Sequence, residues 1–273
     1  MKEPTELKKV SEYVDQCMKC GFCTYFCPVY QEERVETSVA RGKNYLVKLA
    51  LKGEQEFTEE MGKIIGKCLL CKRCVVNCPA KAQIDRVVVA ARAQMVNEKG
   101  LGFWKNLVFR RIMSDRKRFA RYLKLAKAFQ WLLPTTEGSI RHLPDFLKAL
   151  GAGRNIPELA KTFLRDMVKP VYKVEGGKEP LMRVGFFMGC ATDFIYPEIG
   201  LKLIDFLVKR NVEVVVPKDQ NCCGAAIYFS GDFETGRLLA DMNIEAFKDV
   251  DIIVTGCATC SSTLKDYAKY LPD

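Results

Sequence analysis

The feature that most constrains this chain is a run of cysteines that occurs twice. The first run has the spacing C-x2-C-x2-C-x3-C-P and ends at Pro28, and the same spacing returns and ends at Pro79. Three thiolates separated by two residues can wrap one cubic [4Fe-4S] cluster, whereas the fourth cysteine of such a run ligates the other cluster in two-cluster ferredoxins. The sequence therefore predicts two [4Fe-4S] clusters with crossed ligands. The expected ligands are Cys17, Cys20, Cys23 and Cys78 for cluster 1, and Cys68, Cys71, Cys74 and Cys27 for cluster 2.

Zinc sites and disulfide scaffolds are the alternatives for a sequence this rich in cysteine. A zinc site usually presents two separated C-x2-C knuckles or mixes cysteine with histidine, and it has no use for three closely spaced thiols followed by a fourth before proline. A disulfide scaffold suits short secreted chains. The charged residues 1–10 lack the apolar region of a signal peptide. The spacing therefore favours iron–sulfur clusters over both alternatives.

Composition narrows the class of protein further. The chain has 273 residues, thirteen cysteines and a formal net charge of +10. Unsecreted cysteines in this number indicate a reducing compartment, so we expect a cytoplasmic protein. No run of eighteen apolar residues is present, so we expect no membrane span. Each cubane with four thiolates carries about −2, so two of them lower the charge to about +6. The basic balance is therefore partly a counter-charge for cofactors, and a nucleic-acid partner is not expected.

The chain contains a single histidine, His142, without a ligand partner nearby in sequence. This scarcity argues against Ser–His or Cys–His catalysis and against a Rieske centre, which needs two histidine ligands. The glycine-containing stretch 151–155 follows a predicted helix and lacks the third glycine of a dinucleotide-binding loop. We therefore expect this chain to bind neither flavin nor NAD.

The segments around the two cysteine runs have helical periodicity. Helices are predicted over 5–16, 38–52, 57–67 and 80–98, with Thr58 as the N-cap of the third. Small ferredoxins are built on β-hairpins, so this pattern instead predicts an α-helical two-cluster ferredoxin domain over residues 1–100.

Residues 101–180 are predicted to form a basic helical linker region. Residues 101–135 alternate arginine and lysine with apolar residues, which fits a solvated helix with one side on the core. The same pattern also fits a helix that docks onto an acidic partner or an anionic membrane surface. In that case we expect peripheral membrane association or a quinone-linked partner. Short helices are expected over 143–150 and 156–168, followed by a linker at 174–180.

After residue 181 strands alternate with helices. Strands are predicted over 183–189, 212–217 and 251–256, and helices over 196–210 and 232–248 and up to about 270. Such alternation predicts parallel βαβ units, in which ligands sit beyond the carboxyl ends of the strands. Five cysteines follow these strand ends: Cys190, Cys222, Cys223, Cys257 and Cys260. We expect them to converge at one edge of the sheet, for a total fold class of α + α/β.

Five converging thiols have several interpretations. A cubane or a zinc ion uses four thiolates and leaves one over. A redox dithiol formed by Cys257 and Cys260 leaves the other three unexplained. An unusual cluster with five protein ligands explains all of them.

The C-terminal pattern resembles the cysteine-rich CCG domain of heterodisulfide reductase subunits, lactate-utilisation proteins and the glycolate oxidase iron–sulfur subunit. The resemblance rests on Cys190, Cys222-Cys223-Gly224 and Cys257-x-x-Cys260, with support from Val216-Pro217, Gln220, Gly231-Asp232 and Asn243-Ile244. Joined to the two N-terminal cysteine runs, it is similar to the fused D-type heterodisulfide reductase subunit and the glycolate oxidase iron–sulfur subunit.

That resemblance implies a noncubane [4Fe-4S] cluster held by all five C-terminal cysteines. In the family the CCG domain usually occurs twice, whereas residues 181–273 contain a single copy. We therefore expect an exposed sheet edge that a partner or a second copy covers.

Three functions fit the sequence. The first is an electron-transfer subunit in a hetero-oligomer, which passes electrons from a flavin-linked 2-hydroxy-acid (glycolate- or lactate-type) dehydrogenase to a downstream carrier. The second is the catalytic subunit of a heterodisulfide reductase-like enzyme that cleaves a disulfide at the CCG cysteines. The third is a ferredoxin fused to an assembly module that holds structural zinc.

Overall fold

The computed structural model describes residues 5–130, 135–136, 139–140, 156–174 and 179–270. The chain divides into two compact units. The first unit comprises Met1–Trp104 and the short segment Ala226–Glu234, and the second comprises Lys105–Ala225 and Thr235–Asp273. The first unit is helical and the second contains a small sheet with helices, which confirms the predicted α + α/β class.

Helices carry both cysteine runs in the first unit. They are α1 (Thr5–Lys8), α2 (Ser11–Asp15), α3 (Cys23–Phe26), α4 (Pro28–Glu33), α5 (Ala40–Leu51), α6 (Glu59–Gly66), α7 (Arg73–Val76) and α8 (Ile84–Lys99), with a 3-10 turn at Glu36–Ser38. The N-cap prediction for α6 is confirmed, because the Thr58 side chain accepts a hydrogen bond of 3.2 Å from the Met61 amide. The single helix predicted over 5–16 is wrong: the chain turns at Val10 and forms α1 and α2, and Leu7, Val10 and Val14 are still buried.

The core of the first unit forms around α8. Val87, Val88 and Ala91 of α8 are almost fully buried and pack with Leu7 and Ile65 from the surrounding helices. Several cysteines of both runs pack on the margin of this core. Apolar burial of this kind, at about 25 cal/mol per Å² of apolar surface, holds the cysteine loops in place without help from a sheet.

The segment Ala226–Glu234 lies against α8 at a point of very close backbone approach. Gly231 has a φ of 94°, and a Cβ added there would lie 2.5 Å from the Arg92 carbonyl carbon. Tyr228 and Phe233 stack with ring centroids 4.8 Å apart on either side of this glycine. Only glycine combines the positive φ with the space left by the helix backbone.

We predict that Gly231→Ala destabilises the first unit much more than a matched glycine substitution does. Gly53 is the control, because its φ of 70° is also positive but no atom of the described residues lies within 4 Å of an added Cβ. Gly53→Ala should cost about 1–2 kcal/mol from the left-handed backbone alone. Gly231→Ala should cost about 1–3 kcal/mol more, because a methyl group meets helix backbone that has no room to shift.

Denaturant unfolding of the full chain, followed by helical circular dichroism, measures both changes. Equal shifts of the unfolding midpoint in the two variants would contradict the close approach at α8.

The second unit is organised by a four-stranded sheet with the order β4-β6-β5-β7. Its strands are β4 (Val171–Tyr172), β5 (Arg183–Phe186), β6 (Glu213–Val215) and β7 (Ile252–Val254). Strand β5 is parallel to both neighbours, with Gly185 opposite Val215 on one side and Ile253 on the other. Buried Phe186, Val214 and Val216 place the core beside these strands. The predicted parallel strand–helix alternation is confirmed for β5, β6 and β7.

Most of the remaining helices belong to the second unit, and a small separate sheet precedes the large one. The helices are α10 (Arg116–Gln130), α11 (Leu164–Met167), α12 (Gly189–Phe194), α13 (Pro197–Val208), α14 (Ala225–Tyr228), α15 (Phe233–Ala246), α16 (Ala258–Lys265) and α17 (Tyr267–Tyr270). Helix α9 (Phe103–Asn106) and a π-helical turn at Leu107–Met113 precede α10. The small sheet is antiparallel and consists of β1 (Thr135–Thr136), β2 (Ser139–Ile140) and β3 (Ile156–Pro157).

The region predicted as a helical linker contains strands as well as helices. Val171 pairs antiparallel with Val215, which makes the large sheet mixed. The helix predicted over 156–168 is wrong, because Ile156–Pro157 is a strand paired with β2 and only Leu164–Met167 is helical. The helix predicted over 143–150 and the single histidine, His142, lie outside the described residues.

The basic helix α10 belongs to the second unit. Its Phe119 and Ala120 pack on Phe163 and Phe194, so its apolar side lies on a core. Asp115 caps its start by accepting hydrogen bonds from the Lys117 and Arg118 amides, at 2.8 and 3.0 Å. No helix within the described part of the chain is both long and apolar enough to cross a membrane.

Candidate iron–sulfur sites

The two N-terminal cysteine loops adopt the same unusual backbone conformation. The second residue after the opening cysteine has a positive φ in both loops, 60° at Lys19 and 52° at Leu70. The residue after the second cysteine also has a positive φ, 84° at Gly21 and 59° at Lys72. Left-handed residues turn the chain sharply, as wrapping three closely spaced thiols around one group requires. The sequence repeat is therefore also a structural repeat.

The thiols of the first unit line two cavities in two sets. Cys27, Cys68, Cys71 and Cys74 line one cavity. Cys17, Cys20, Cys23 and Cys78 line the other, together with Cys74. Each cavity thus contains three thiols of one loop and the last cysteine of the other, which is the grouping that crossed ligation needs. The ligand sets themselves stay a prediction.

A buried cation lines the cavity of the second loop. The Lys43 side chain is almost fully buried, and its ammonium group donates a hydrogen bond to the Ser38 carbonyl. Burial lowers the pKa of Lys43, while the nearby thiols of Cys68 and Cys27 act in the opposite direction. A positive charge here is suited to balance a negatively charged cluster.

The cavity of the first loop also has a cation beside it. Arg41 pairs with Glu36 through Nη2 at 3.0 Å and donates a hydrogen bond of 3.3 Å to the Lys19 carbonyl. A Cβ at Gly21 would collide with Arg41 Nη1, so the loop needs glycine at this position. Sequence reasoning singled out neither Lys43 nor Arg41, because nothing in their local pattern indicates proximity to a thiol.

Burial disfavours the thiolate form of three cysteines in the first unit. Burial, followed by the neighbouring sulfur atoms of Cys68 and Cys23, raises the pKa of Cys74 to about 12. Burial likewise raises the pKa values of Cys23 and Cys68. Metal ligation removes such protons, because the metal charge stabilises the thiolates. These three thiols are therefore poorly suited to remain as free thiolates and are suited to bind a metal that supplies positive charge.

Arg92 of α8 ties the second loop to the segment Ala226–Glu234 inside the first unit. Its guanidinium group donates to the carbonyls of Cys68 at 2.5 Å, Gly66 at 3.1 Å and Phe229 at 2.7 Å. One side chain therefore fixes the backbone at the first predicted ligand of cluster 2. Sequence analysis gave no indication of this role.

Crossed ligation makes a specific prediction about which cluster each fourth cysteine supports. Cys78→Ala should damage the cluster held by Cys17, Cys20 and Cys23, and the matched variant Cys27→Ala should damage the other one. The reason is that three thiolates remain for the affected cluster and four for its neighbour. EPR of the reduced full chain, with iron counted per chain, measures which signal is lost. If each variant instead loses the cluster of its own loop, the ligands are not crossed.

The five C-terminal cysteines lie close together in the second unit. The sulfur atoms of Cys190 and Cys222 are 3.6 Å apart, and the Cys223 thiol interacts with those of Cys222 and Cys260. Cys257 and Cys260 both approach Gly189, with Cys260 Sγ 3.1 Å from the position of an added Cβ. In the described residues, no three Cys, His, Asp or Glu side chains come close enough together to hold a single metal ion.

Crowding and burial shape the acidity of these thiols. Hydrogen bonding with Cys190 lowers the pKa of Cys222, but contact with Cys223 and burial outweigh it and raise the pKa to about 11. Hydrogen bonding with Cys222 lowers the pKa of Cys223, but contact with Cys260 and burial raise it to about 12. Hydrogen bonding with Cys222, followed by burial, raises the pKa of Cys190. Several thiolates can coexist here only with compensating positive charge.

A frame of buried amides positions the adjacent pair Cys222-Cys223. Asn243 accepts a hydrogen bond of 2.7 Å from the Asn221 amide and donates one of 3.0 Å to the Cys222 carbonyl. The Tyr267 hydroxyl donates to the Cys223 carbonyl at 2.9 Å. Gln220 accepts from the Met188 amide at 2.9 Å and so joins this loop to the end of β5. Gln220 and Asn243, which carried part of the family resemblance, thus serve the backbone of the site.

Arg116, at the start of α10, reaches the same thiols. Its Nη1 lies 3.2 Å from Cys190 Sγ, and its main-chain amide donates to Asn221 Oδ1 at 2.9 Å. Burial opposes the charge on Arg116, but Cys190, Asp193 and Cys222 outweigh it and raise its pKa. The sequence interpretation treated this residue as one of many surface charges.

We predict that Asn243→Leu destabilises the site around Cys222. It leaves the Asn221 amide and the Cys222 carbonyl without their partner, which costs about 1–3 kcal/mol for each buried group. Glu245→Ala is the control on the same helix. Glu245 forms an exposed ion pair with Lys248, so its substitution should change stability by about 0.5 kcal/mol or less.

Iron retained per chain and the unfolding midpoint measure this effect. A variant Asn243→Leu that behaves like Glu245→Ala would contradict the role of the amide frame.

Two protein families match this chain. The 4Fe-4S dicluster domain matches residues 13–82, and a cysteine-rich domain, CCG, matches residues 184–265. These two regions contain all thirteen cysteines. No solved structure matches the chain.

Similar proteins extend over nearly the whole chain. A probable glycolate oxidase iron-sulfur subunit of Bacillus subtilis is 30% identical over 94% of this chain and 60% of its own length. The glycolate oxidase iron-sulfur subunit of Escherichia coli is 24% identical over 99% of this chain and 62% of its own length. A fumarate reductase (CoM/CoB) subunit of Methanothermobacter marburgensis is 25% identical over 93% of this chain and 44% of its own length. The chain therefore spans about half to three fifths of the relatives that it matches.

Proposed function

Because this chain belongs to the proteins that join a 4Fe-4S dicluster domain to a CCG cysteine-rich domain, we propose that it is an electron-transfer subunit of a multi-subunit oxidoreductase. Its electrons come from a flavin-linked dehydrogenase that oxidises a 2-hydroxy acid of the glycolate or lactate type. They leave to a downstream carrier. The names of the Bacillus subtilis and Escherichia coli relatives support this choice of donor.

The observation that carries the proposal is the gathering of thiols into three groups, each with a cation beside it. Arg41, Lys43 and Arg116 lie beside the first loop, the second loop and the C-terminal cysteines, respectively. Clusters held by such thiols supply one-electron transfer, and cysteine ligation, burial and hydrogen bonds to sulfur set their potentials. Electron transfer of this kind requires no proton-transfer group, in keeping with a single histidine in the chain.

Three separate sets of cysteines hold the proposed clusters. We assign Cys17, Cys20, Cys23 and Cys78 to cluster 1, and Cys68, Cys71, Cys74 and Cys27 to cluster 2. We assign Cys190, Cys222, Cys223, Cys257 and Cys260 to a third, noncubane [4Fe-4S] cluster. The amide frame around Asn243 orients the last set, and the left-handed turns orient the first two.

The C-terminal group supports this third cluster better than it supports zinc. A zinc tetrahedron leaves one of the five thiols without a role. The buried guanidinium group of Arg116 adds positive charge beside Cys190. A cluster with five thiolates carries more negative charge than a zinc site with four, and this charge suits the cation.

Hydroxy-acid-dependent reduction tests the proposed function. The full chain, purified without oxygen, is mixed with a flavin-linked glycolate or lactate dehydrogenase, and the iron–sulfur absorbance is followed after substrate is added. We expect bleaching that requires both the dehydrogenase and the 2-hydroxy acid. The control is Cys71→Ala, which removes one predicted ligand and should reduce the extent of bleaching.

The same preparations allow the alternatives to be distinguished. About twelve irons per chain indicate three clusters, whereas about eight irons with about one zinc indicate the assembly module. Turnover of a disulfide substrate by this chain alone, without bleaching by the dehydrogenase, would assign it the catalytic role instead.

A further inference from the structure

We infer that Arg116 is the resident cation of the five-cysteine site and raises the reduction potential of the cluster bound there. This inference rests on the proposed function, because it requires a redox-active group on Cys190, Cys222, Cys223, Cys257 and Cys260. Arg116 acts on the cluster through its charge and through a cysteine ligand, so it is a positioning residue.

Arg116 belongs to a buried group of three charged side chains. Its Nη2 lies 2.8 Å from Asp193 Oδ2, and Arg165 Nε lies 3.2 Å from the same oxygen. The side chains of Arg116, Arg165 and Asp193 are 4%, 13% and 0% exposed, respectively. One carboxylate therefore lies between two guanidinium groups, and the group has an excess of one positive charge.

Among the described residues, the neighbouring charges do not remove that excess. Asp166 lies near Arg165, but it pairs with Lys124 at 2.7 Å, so those two charges offset each other. An uncompensated charge in such a buried position is costly unless an anion faces it. Besides Asp193, the guanidinium group of Arg116 contacts the Gly189 carbonyl through Nη2 and the sulfur of Cys190 through Nη1.

The contact with Cys190 points the excess charge at the thiol site. Arg116 Nη1 lies 3.2 Å from Cys190 Sγ, within hydrogen-bonding reach. Arg116 Nε is buried and has no hydrogen-bond partner within the described part of the chain. The guanidinium group thus has donor capacity beyond what the described side chains use.

The position of Arg116 is fixed from three directions. Asp115 caps the helix one residue earlier, and the Arg116 amide donates to Asn221 Oδ1 at 2.9 Å. The guanidinium carbon lies 4.6 Å from the centre of the Phe194 ring. Asn221 directly precedes Cys222. Arg116 therefore contacts the loop of Cys222 through its main chain and the sulfur of Cys190 through its side chain.

A fixed cation at this place favours the reduced cluster. Reduction adds one negative charge to a group that is already anionic, and a nearby positive charge stabilises the product more than the starting state. A hydrogen bond to a ligating sulfur acts in the same direction. The carboxylate of Asp193 opposes both effects. Removing the charge of Arg116 should therefore lower the reduction potential, whereas removing the charge of Asp193 should raise it.

A redox titration of the full chain, purified without oxygen and monitored by EPR, tests this assignment on variants that remove or keep one charge. In Arg116→Gln the reduced fraction of the C-terminal cluster should fall, with the reduced-to-oxidised ratio about tenfold lower at the wild-type midpoint, or about 59 mV for one electron. In Asp193→Asn the midpoint should move upwards. Arg116→Lys keeps the charge, so its midpoint should lie closer to that of the wild type than the midpoint of Arg116→Gln.

Arg121→Gln is the matched control, because it makes the same substitution at an exposed arginine of the same helix. Its midpoint should equal that of the wild type. If Arg116→Gln fails to hold the cluster, the sign of the Asp193→Asn shift decides. An unchanged midpoint in Arg116→Gln, or shifts of the same sign in Arg116→Gln and Asp193→Asn, would overturn the inference.

The iron count separates this inference from the proposed function. About twelve irons per wild-type chain with unchanged midpoints in the variants would overturn the role of Arg116 alone. About eight irons with about one zinc would remove the third cluster, and the role of Arg116 would be wrong with it.

Discussion

The balance of charge around buried sulfur is the constraint on which this protein depends most. Burial disfavours free thiolates, so buried cysteines can serve as ligands only if positive charge faces them. Arg41, Lys43 and Arg116 supply such charge from the protein beside the three groups of cysteines. The net charge of +10 is therefore in part an internal property of the sites.

The two units position their cysteines in two different ways. In the first unit, repeated left-handed turns shape each loop, and a helical core centred on α8 supports both loops. In the second unit, parallel strands bring together cysteines that are far apart in sequence, and buried amides such as Asn243 hold the loops that carry them. Local backbone geometry thus dominates one unit and sheet topology the other.

Much of this was predictable because it depends on local pattern. The helices α5, α6 and α8 follow from apolar periodicity, and the three parallel strands follow from their alternation with helices. The strand at Val171–Tyr172 escaped prediction because two residues carry no periodicity. The break between α1 and α2 also escaped it, since both short helices preserve the same apolar spacing.

The sequence by itself determined which atoms are available as ligands, because cysteine spacing is a local property that can be read directly from the order of residues. It also determined that five cysteines follow strand ends. Only the tertiary structure decided which charges face them. Arg116 reaches Cys190 across 74 positions and Arg92 reaches Cys68 across 24, so no local pattern marks either contact. Long-range pairing of this kind depends on how helices pack, and packing is decided by the whole of each unit.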